Sequence, residues 1–347
     1  MWRQGSCVAF SFLFMAGIYI HIPFCRKKCA YCDFASVPGK EREVKSYLKA
    51  LHIEIQLKSG VLKSPDTLYI GGGTPSFLKA TQIAEILENI EKIIQPLNKF
   101  SEITFEANPE SLSMDKIKIL KEKSVNRISL GLQSIHRKSL KKLGRLSSPI
   151  KFHEAFLVLR KSGFKNINAD IMCGIPGENL KDFSETLRFL LNLRPEHISL
   201  YSLEIHRGTP FSRMKMQIND DLAAEMYAFA RKTLMENGYS QYEISNFSLP
   251  GFQSLHNLNY WNNGEYLGFG PSAVSYISQK RQNNVKNLKK YITYLIEKRQ
   301  CPTVRTEKLK GREKLAEKIM LGLRKTDGIE LGNDIFIKFR EIVDIIL

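Results

Sequence analysis

Six short apolar stretches alternate with amphipathic segments in the first two thirds of the chain, and this alternation constrains the fold more than any other feature. The predicted strands cover 17–22, 67–70, 102–106, 127–131, 166–172 and 197–203. In the first interval, apolar residues recur at helical spacing, as at Val44, Tyr47, Leu48, Leu51 and Ile55. Strands that alternate with helices form a parallel sheet that curls towards a barrel, and six units are two short of the complete eightfold barrel. The sequence therefore predicts an α/β fold with a partial TIM-like (β/α)6 barrel, which leaves room for a large substrate.

The alternation ends after residue 203, where Gly208 and Pro210 mark turns. We therefore expect a barrel over 17–210 and a smaller, mainly helical C-terminal domain over 211–347. Residues 1–16 are interpreted as an N-terminal extension. The apolar run in this region is shorter than the ~20 residues that cross a bilayer, and no clear cleavage site follows it. A cytoplasmic location is expected, with peripheral contact at the inner face of the membrane as an alternative.

Three of the six cysteines, Cys25, Cys29 and Cys32, form a CxxxCxxC motif directly after the first predicted strand. An iron–sulfur cube usually takes one thiolate per iron, so three thiolates leave one iron open to another ligand. The alternative is a zinc site, but the other cysteines lie far away and singly, and the sequence has no second CxxC pair. Three close cysteines in a chain of this length also fit a reducing compartment better than a disulfide framework. The spacing therefore favours a 4Fe–4S cluster with one open iron.

Chemically distinctive residues lie at the carboxyl ends of several predicted strands, where barrels of this kind have their active sites. The segment 71–75, GGGTP, follows the second strand, and glycines let the backbone approach a ligand closely. Glu106 ends the third strand, Gln133 follows the fourth, and Asp170 lies within the fifth. Taken alone, each would more often be a cap or a surface residue. Together, at successive strand ends, they indicate a ligand site.

The segment 17–34, GIYIHIPFCRKKCAYCDF, resembles the radical S-adenosylmethionine superfamily, in which an aromatic residue, here Tyr31, precedes the third cysteine. It is most similar to the branch that contains the oxygen-independent coproporphyrinogen dehydrogenases and their paralogues, the HemW-type haem chaperones. The resemblance implies that the amino and carboxylate groups of S-adenosylmethionine bind the open iron, and that this cofactor supplies the chemistry. The implied cluster ligands are Cys25, Cys29 and Cys32. The implied S-adenosylmethionine-binding residues are Tyr19, Gly72, Gly73, Thr74, Glu106, Gln133, Arg145 and Asp170.

Two features separate the members of this branch. The resemblance implies a further cysteine two places after the third one in the dehydrogenases, where this chain has Phe34, and a longer N-terminal segment. It also associates the segment 256–261, HNLNYW, with haem binding. An imidazole can ligate haem iron and aromatic rings can pack against the macrocycle, so His256 is the candidate haem ligand, with Tyr260 and Trp261 beside it. The predicted function is a haem chaperone that delivers haem to respiratory proteins. Coproporphyrinogen III dehydrogenase is the alternative, and whether S-adenosylmethionine is cleaved stays open.

The net charge of +17 results from 52 Lys and Arg residues against 35 Asp and Glu residues, spread in short runs. Such charges are usually a solvated surface, and they would also assist the capture of haem propionates. A radical enzyme acting on RNA is a third hypothesis. Because no RNA-binding module or aromatic stacking platform accompanies the charge, no nucleic-acid partner is expected. The chain departs from the family pattern at 144–147, GRLS, which lacks the usual histidine, and it ends soon after Arg324, so the C-terminal domain is expected to be shortened.

Overall fold

The computed structural model describes residues 15–329. The strands in this range are β1 (Ala16–Ile22), β2 (Phe24–Cys25), β3 (Val37–Pro38), β4 (Thr67–Gly72), β5 (Glu102–Ala107), β6 (Arg127–Gln133), β7 (Ile167–Cys173), β8 (His197–Ser202), β9 (Ser240–Glu243), β10 (Asn246–Ser248), β11 (Glu265–Phe269), β12 (Val274–Ile277), β13 (Lys280–Asn284) and β14 (Thr303–Lys308). The helices are α1 (Val44–Leu57), α2 (Ala80–Ile93), α3 (Met114–Glu122), α4 (Arg137–Leu143), α5 (Pro149–Lys161), α6 (Leu180–Leu193), α7 (Pro210–Arg213), α8 (Asp220–Glu236), α9 (Leu255–Trp261), α10 (Leu288–Ile296) and α11 (Gly311–Gly322).

The six predicted strands are present as β1 and β4 to β8. They lie side by side in that order and pair in parallel, as the alternation with helices predicts. Their bounds differ from the predicted ones by no more than two residues. The apolar runs were long enough to recognise because strands in a parallel sheet are buried on both faces. In β6, for example, all seven residues are buried.

The helices between these strands pack their apolar faces against the sheet. In α1 the predicted stripe is buried, including Tyr47, Leu51 and Ile55. Helix α5 is followed by Gly163, which has a φ of +84°, a left-handed conformation that favours glycine after a helix. Among the described helices, none has both the length and the apolar character needed to cross a bilayer.

The chain after residue 210 extends both edges of the same sheet. β11 pairs in parallel with β1, and β12, β13 and β14 continue from it in antiparallel fashion. At the other edge, β10 pairs with β8 and β9 pairs with β10, both antiparallel. The helices expected here are present, but these strands were not predicted, because they are short and several are polar, as is KRQNN in β13. The division at residue 210 stays a prediction, and most of the extension, 1–14, and the chain end from residue 330 lie outside the described residues.

Helix α9 covers the sheet where the parallel strands begin. It contacts β1, β4 and β11. The carboxylate of Glu102, at the start of β5, accepts hydrogen bonds from the backbone N–H groups of Leu255 (2.8 Å) and His256 (3.3 Å) and from the hydroxyl of Ser254 (3.2 Å). These contacts satisfy N–H groups that a helix start leaves unpaired. The amino ends of the strands are therefore closed, and the carboxyl ends are left for a pocket.

Candidate functional site

A cavity of about 410 Å³ lies at the carboxyl ends of the parallel strands. Its walls come from the cysteine-containing loop after β1 and from the ends of β4 to β8. Ten of the twelve residues predicted from the sequence line it: Cys25, Cys29, Cys32, Gly72, Gly73, Thr74, Glu106, Gln133, Arg145 and Asp170. Tyr19 and His256 do not. The fold thus brings residues from five separate strand ends together, as expected for this architecture.

The cysteine loop is held in place by backbone hydrogen bonds at its base and near its middle. The short parallel pair of β2 and β3 closes its base, and the N–H of Ala30 donates to the carbonyl oxygen of Leu143 at 2.9 Å. Cys25 is buried, whereas Cys29 and Cys32 are half-buried against the pocket. Burial raises the pKa of the Cys25 and Cys32 thiols. Within residues 15–329, no group of three or more His, Cys, Asp or Glu side chains is close enough to hold a single metal ion.

The glycines of the GGGTP segment are needed because β4 ends against the cysteine loop. Gly72 has a φ of +113°, and a Cβ atom there would lie 2.7 Å from Nδ1 of His21. A Cβ atom on Gly73 would lie 2.6 Å from the carbonyl oxygen of Phe24. Neither contact is tolerable, so a larger side chain would push the loop away. The sequence interpretation explained these glycines by approach to a ligand, and the structure adds a close approach to the protein's own backbone.

Glu106 is an acidic pocket residue that accepts two hydrogen bonds from neighbouring groups. Its Oε1 accepts a hydrogen bond from the hydroxyl of Tyr69 (2.7 Å), and its Oε2 accepts one from the N–H of Gly72 (3.1 Å). Burial raises the pKa of Glu106 to about 7, although these two donors act in the opposite direction. Burial also raises the pKa of Asp170, while the amide of Asn168 donates to its carboxylate at 2.7 Å. Both carboxylates would be stabilised by a cationic ligand.

Two other pocket residues carry polar atoms that have no hydrogen-bond partner in the described structure. Nη2 of Arg145 donates to Oδ1 of Asn108 (2.9 Å) and to the carbonyl oxygen of Gly131 (3.1 Å), but its buried Nε is unpaired. The buried Oε1 of Gln133 is also unpaired, and this residue has a left-handed backbone with a φ of +69°. Buried polar atoms are nearly always bonded in folded proteins. A donor and an acceptor left free in one pocket therefore fit a polar ligand.

Tyr19 and His256 lie deeper in the barrel. The hydroxyl of Tyr19 is 3.0 Å from Nδ1 of His21. The ring of His256 is buried, with Nδ1 2.8 Å from Oγ1 of Thr67 and Nε2 3.1 Å from the hydroxyl of Tyr260. Burial lowers the pKa of His256 to about 3, so the ring is neutral. The structure does not bring His256 to the pocket, and iron ligation by this residue would require one of its hydrogen bonds to break.

Proteins of similar sequence are found over most of the chain. The family described as the Radical SAM superfamily matches residues 19–190. The curated protein named heme chaperone HemW from Bacillus subtilis is 39% identical over 322 residues, covering 91% of this chain and 85% of the relative. The protein of the same name from Lactococcus lactis is 38% identical over 319 residues, covering 90% of this chain and 82% of the relative. The one from Escherichia coli is 37% identical over 263 residues, covering 74% and 68%. The chain belongs to the HemW family.

The solved structure described as coproporphyrinogen III oxidase (HemN) from Escherichia coli, a radical SAM enzyme, has a TM-score of 0.83 to this chain. The match covers 95% of this chain and 81% of that chain at 22% identity, and it confirms the predicted fold. The resemblance found in the cysteine segment is likewise confirmed. Membership of the radical SAM superfamily implies a 4Fe–4S cluster and S-adenosylmethionine.

Several pocket residues of this HemW family member were missed by the sequence interpretation. Asn108, which orients Arg145, lies two residues after Glu106, outside the predicted strand. Tyr69 donates to Glu106 and is a polar group inside a predicted strand, which is a usable signal. Of the seven histidines, all within residues 15–329, only His206 lines the pocket, and its ring is exposed. Nothing in the local sequence distinguishes it.

Proposed function

We propose that this chain is a haem chaperone that holds a 4Fe–4S cluster and S-adenosylmethionine in the barrel pocket and delivers haem to respiratory proteins. The observation that carries the proposal is the convergence of three thiols with two carboxylates and the unpaired polar atoms of Gln133 and Arg145 in one cavity. The haem part of the proposal rests on the name of the relatives, heme chaperone HemW. Peripheral contact with the inner membrane face is part of the same proposal.

The donor set of the pocket fits the implied cofactors. Cys25, Cys29 and Cys32 would each bind one iron of a cluster, which supplies an open coordination position and a single electron. The carboxylate of Glu106 would accept hydrogen bonds from the ammonium group of S-adenosylmethionine or from a ribose hydroxyl. The guanidinium group of Arg145, whose Nε is free, would donate to its carboxylate. These side chains bind and orient the cofactor and shield it from water.

We expect the chain to bind haem, and its excess of basic over acidic residues favours capture of the haem propionates. His256 stays the predicted iron ligand, although its ring is buried and bonded on both nitrogens. His206 is the natural comparison, because its ring is exposed at the pocket. In haem titrations followed by Soret absorbance, His256→Ala should weaken binding and leave cluster absorbance intact. Unchanged affinity in that variant, with weaker binding in His206→Ala, would instead place the iron at the pocket.

The decisive experiment compares three activities of anaerobically reconstituted protein: haem binding, deoxyadenosine release and coproporphyrinogen turnover. We expect haem binding without coproporphyrinogen turnover. The reason is Phe34, whose ring is 63% exposed beside the pocket at the position where the resemblance gives the dehydrogenases a cysteine. Cys29→Ala should contain no cluster, whereas Cys301→Ala, at an exposed cysteine outside the pocket, should retain it. Turnover of coproporphyrinogen by the unaltered chain would overturn the proposed function.

A further inference from the structure

The histidine of the HNLNYW segment, His256, makes contacts inside the barrel that do not involve haem. We infer that His256 and Tyr69 are positioning residues that hold the Glu106 carboxylate in place for S-adenosylmethionine, so that α9 supports the pocket from the opposite end of the barrel. This inference rests on the proposed binding of S-adenosylmethionine in the pocket. It concerns which residues prepare that site, and it assigns the two aromatic side chains a role in cofactor affinity.

The first step is the fixed position of the His256 ring. Both ring nitrogens are hydrogen-bonded, to Thr67 on β4 and to Tyr260 one turn further along α9. The ring also fits tightly against β1, since a Cβ atom on Gly17 would lie 3.0 Å from its Cε1. The capping of α9 by Glu102 fixes the backbone from which the side chain projects. The imidazole is therefore a rigid surface inside the barrel.

The second step is the contact between this surface and Tyr69. The two rings are stacked, with centroids 5.1 Å apart and planes inclined by 29°. Beyond the ring, the hydroxyl of Tyr69 donates to Oε1 of Glu106 at 2.7 Å. A Cβ atom on Gly71 would lie 2.8 Å from both Cε1 of Tyr69 and Cδ of Glu106. The first glycine of the GGGTP segment therefore makes room for this pair, and Tyr69 is held between His256 and the carboxylate.

The third step is the effect of the Tyr69 hydroxyl on the charge of Glu106. The hydroxyl is the largest of the influences that oppose burial and favour the ionised carboxylate. The titratable and charged groups that interact with Glu106 are Tyr69, Asp170, Arg127, Tyr19 and Tyr201. S-adenosylmethionine carries an ammonium and a sulfonium group, so the ionised form of Glu106 is the form that binds it well. Loss of the hydroxyl both frees the carboxylate to rotate and favours its protonated form.

The experiment measures S-adenosylmethionine affinity by equilibrium dialysis on the anaerobically reconstituted full chain, across a pH range around neutrality. Tyr69→Phe keeps the ring and removes only the hydroxyl. We expect its affinity to fall about tenfold at neutral pH, the loss expected for a hydrogen bond to a charged group. The midpoint of the rise of affinity with pH should also move to higher pH. A purely structural defect would lower affinity equally at every pH.

His256→Gln is the second variant, because glutamine can replace the hydrogen bonds but not the stacked ring. We expect an affinity loss in the same direction, of about threefold. The matched controls are Tyr294→Phe on α10 and His153→Gln on the exposed face of α5, both outside the pocket, and both should bind as the unaltered chain does. Cluster absorbance and thermal unfolding establish that each variant is folded.

The outcomes separate the inference from the proposed function. If the unaltered chain binds S-adenosylmethionine and Tyr69→Phe binds it with the same affinity and the same pH midpoint, the positioning role is overturned and the proposed function stands. If the unaltered chain carries its cluster but does not bind S-adenosylmethionine, the proposed function and the inference both fall. A lower affinity with a shifted midpoint in Tyr69→Phe, together with a smaller loss in His256→Gln, supports the inference.

Discussion

Two carboxylates on one strand show how differently the two ends of the barrel are built. Glu102 and Glu106 are four residues apart on β5, so their side chains lie on the same face of the strand. Glu102 sits at the closed end and accepts hydrogen bonds from the backbone of α9, from Ser254 and from the hydroxyl of Thr104. Glu106 sits at the open end with two donors, in a pocket where other polar atoms have none.

The comparison shows that the hydrogen-bond partners of a glutamate decide its role, because the two residues are of the same type. At the closed end, donors surround the Glu102 carboxylate and hold α9 against the sheet, so the group contributes to folding. At the open end, burial exceeds what two donors offset, and the pKa of Glu106 is raised to about 7. A cationic ligand would stabilise the ionised form of such a carboxylate. Buried groups with a shifted pKa are often found at functional sites.

The largest effect on stability should come from Glu102→Ala. The substitution leaves the N–H groups of Leu255 and His256 without an acceptor in a buried region. We expect a loss of about 3 kcal/mol in the free energy of unfolding, measured by chemical denaturation, because unpaired buried donors are costly. Glu85→Ala, at an exposed position on α2, is the control and should change this value by no more than about 0.5 kcal/mol. A cost as small as that of the control would contradict the structural role of Glu102.

Glu106→Gln should increase the free energy of unfolding, and the size of the increase should depend on pH. Because the pKa of Glu106 is raised from 4.5 to about 7 on folding, the folded chain holds this proton more tightly than the unfolded chain. The resulting stability is complete below pH 4.5 and is lost as the pH rises through about 7. Glutamine resembles the protonated acid and escapes that loss.

In the absence of S-adenosylmethionine, Glu106→Gln should therefore match the unaltered chain at acid pH and be more stable by on the order of 2 kcal/mol above neutrality. Chemical denaturation at the two pH values measures the difference. With the cofactor present the order should reverse, since the variant lacks the carboxylate that the ligand stabilises. Equal stability of the two proteins on both sides of neutrality would show that burial of Glu106 has no energetic cost.

The parallel strands could be predicted from the sequence because strands buried on both faces are mostly apolar, and β1 and β7 each carry only two polar side chains in seven residues. The strands after residue 210 could not, since β13 and β14 lie towards one edge of the sheet and carry many polar residues. Their place in the sheet is decided by pairing with β12 and with each other, which is a long-range property. Local periodicity does not contain that information.

The same limit applies to the site. Cysteine spacing and strand-end positions predicted the pocket, because the chain order of the strands is also their spatial order from β4 to β8. The surroundings of His256 could not be predicted in this way. Its hydrogen bond to Thr67 joins residues 189 positions apart, and its stacking on Tyr69 depends on where α9 lies against the sheet. A motif can therefore be recognised while the position of its histidine remains unknown.

The smallest effect should come from Thr104→Val, which tests whether the two ends of β5 are independent. Thr104 lies between the two glutamates, and its hydroxyl donates to Oε1 of Glu102 at 3.1 Å. Valine has nearly the same shape, so the change removes this hydrogen bond and the long one (3.5 Å) that the hydroxyl accepts from Nη1 of Arg127. It should cost about 1 kcal/mol in the free energy of unfolding. Thr306→Val, at an exposed position on β14, is the control. Because Glu102 still caps α9 in this variant, S-adenosylmethionine affinity should not change. A weaker affinity would mean that disturbance at the closed end reaches Glu106 along the strand or through Arg127, and not only through His256 and Tyr69.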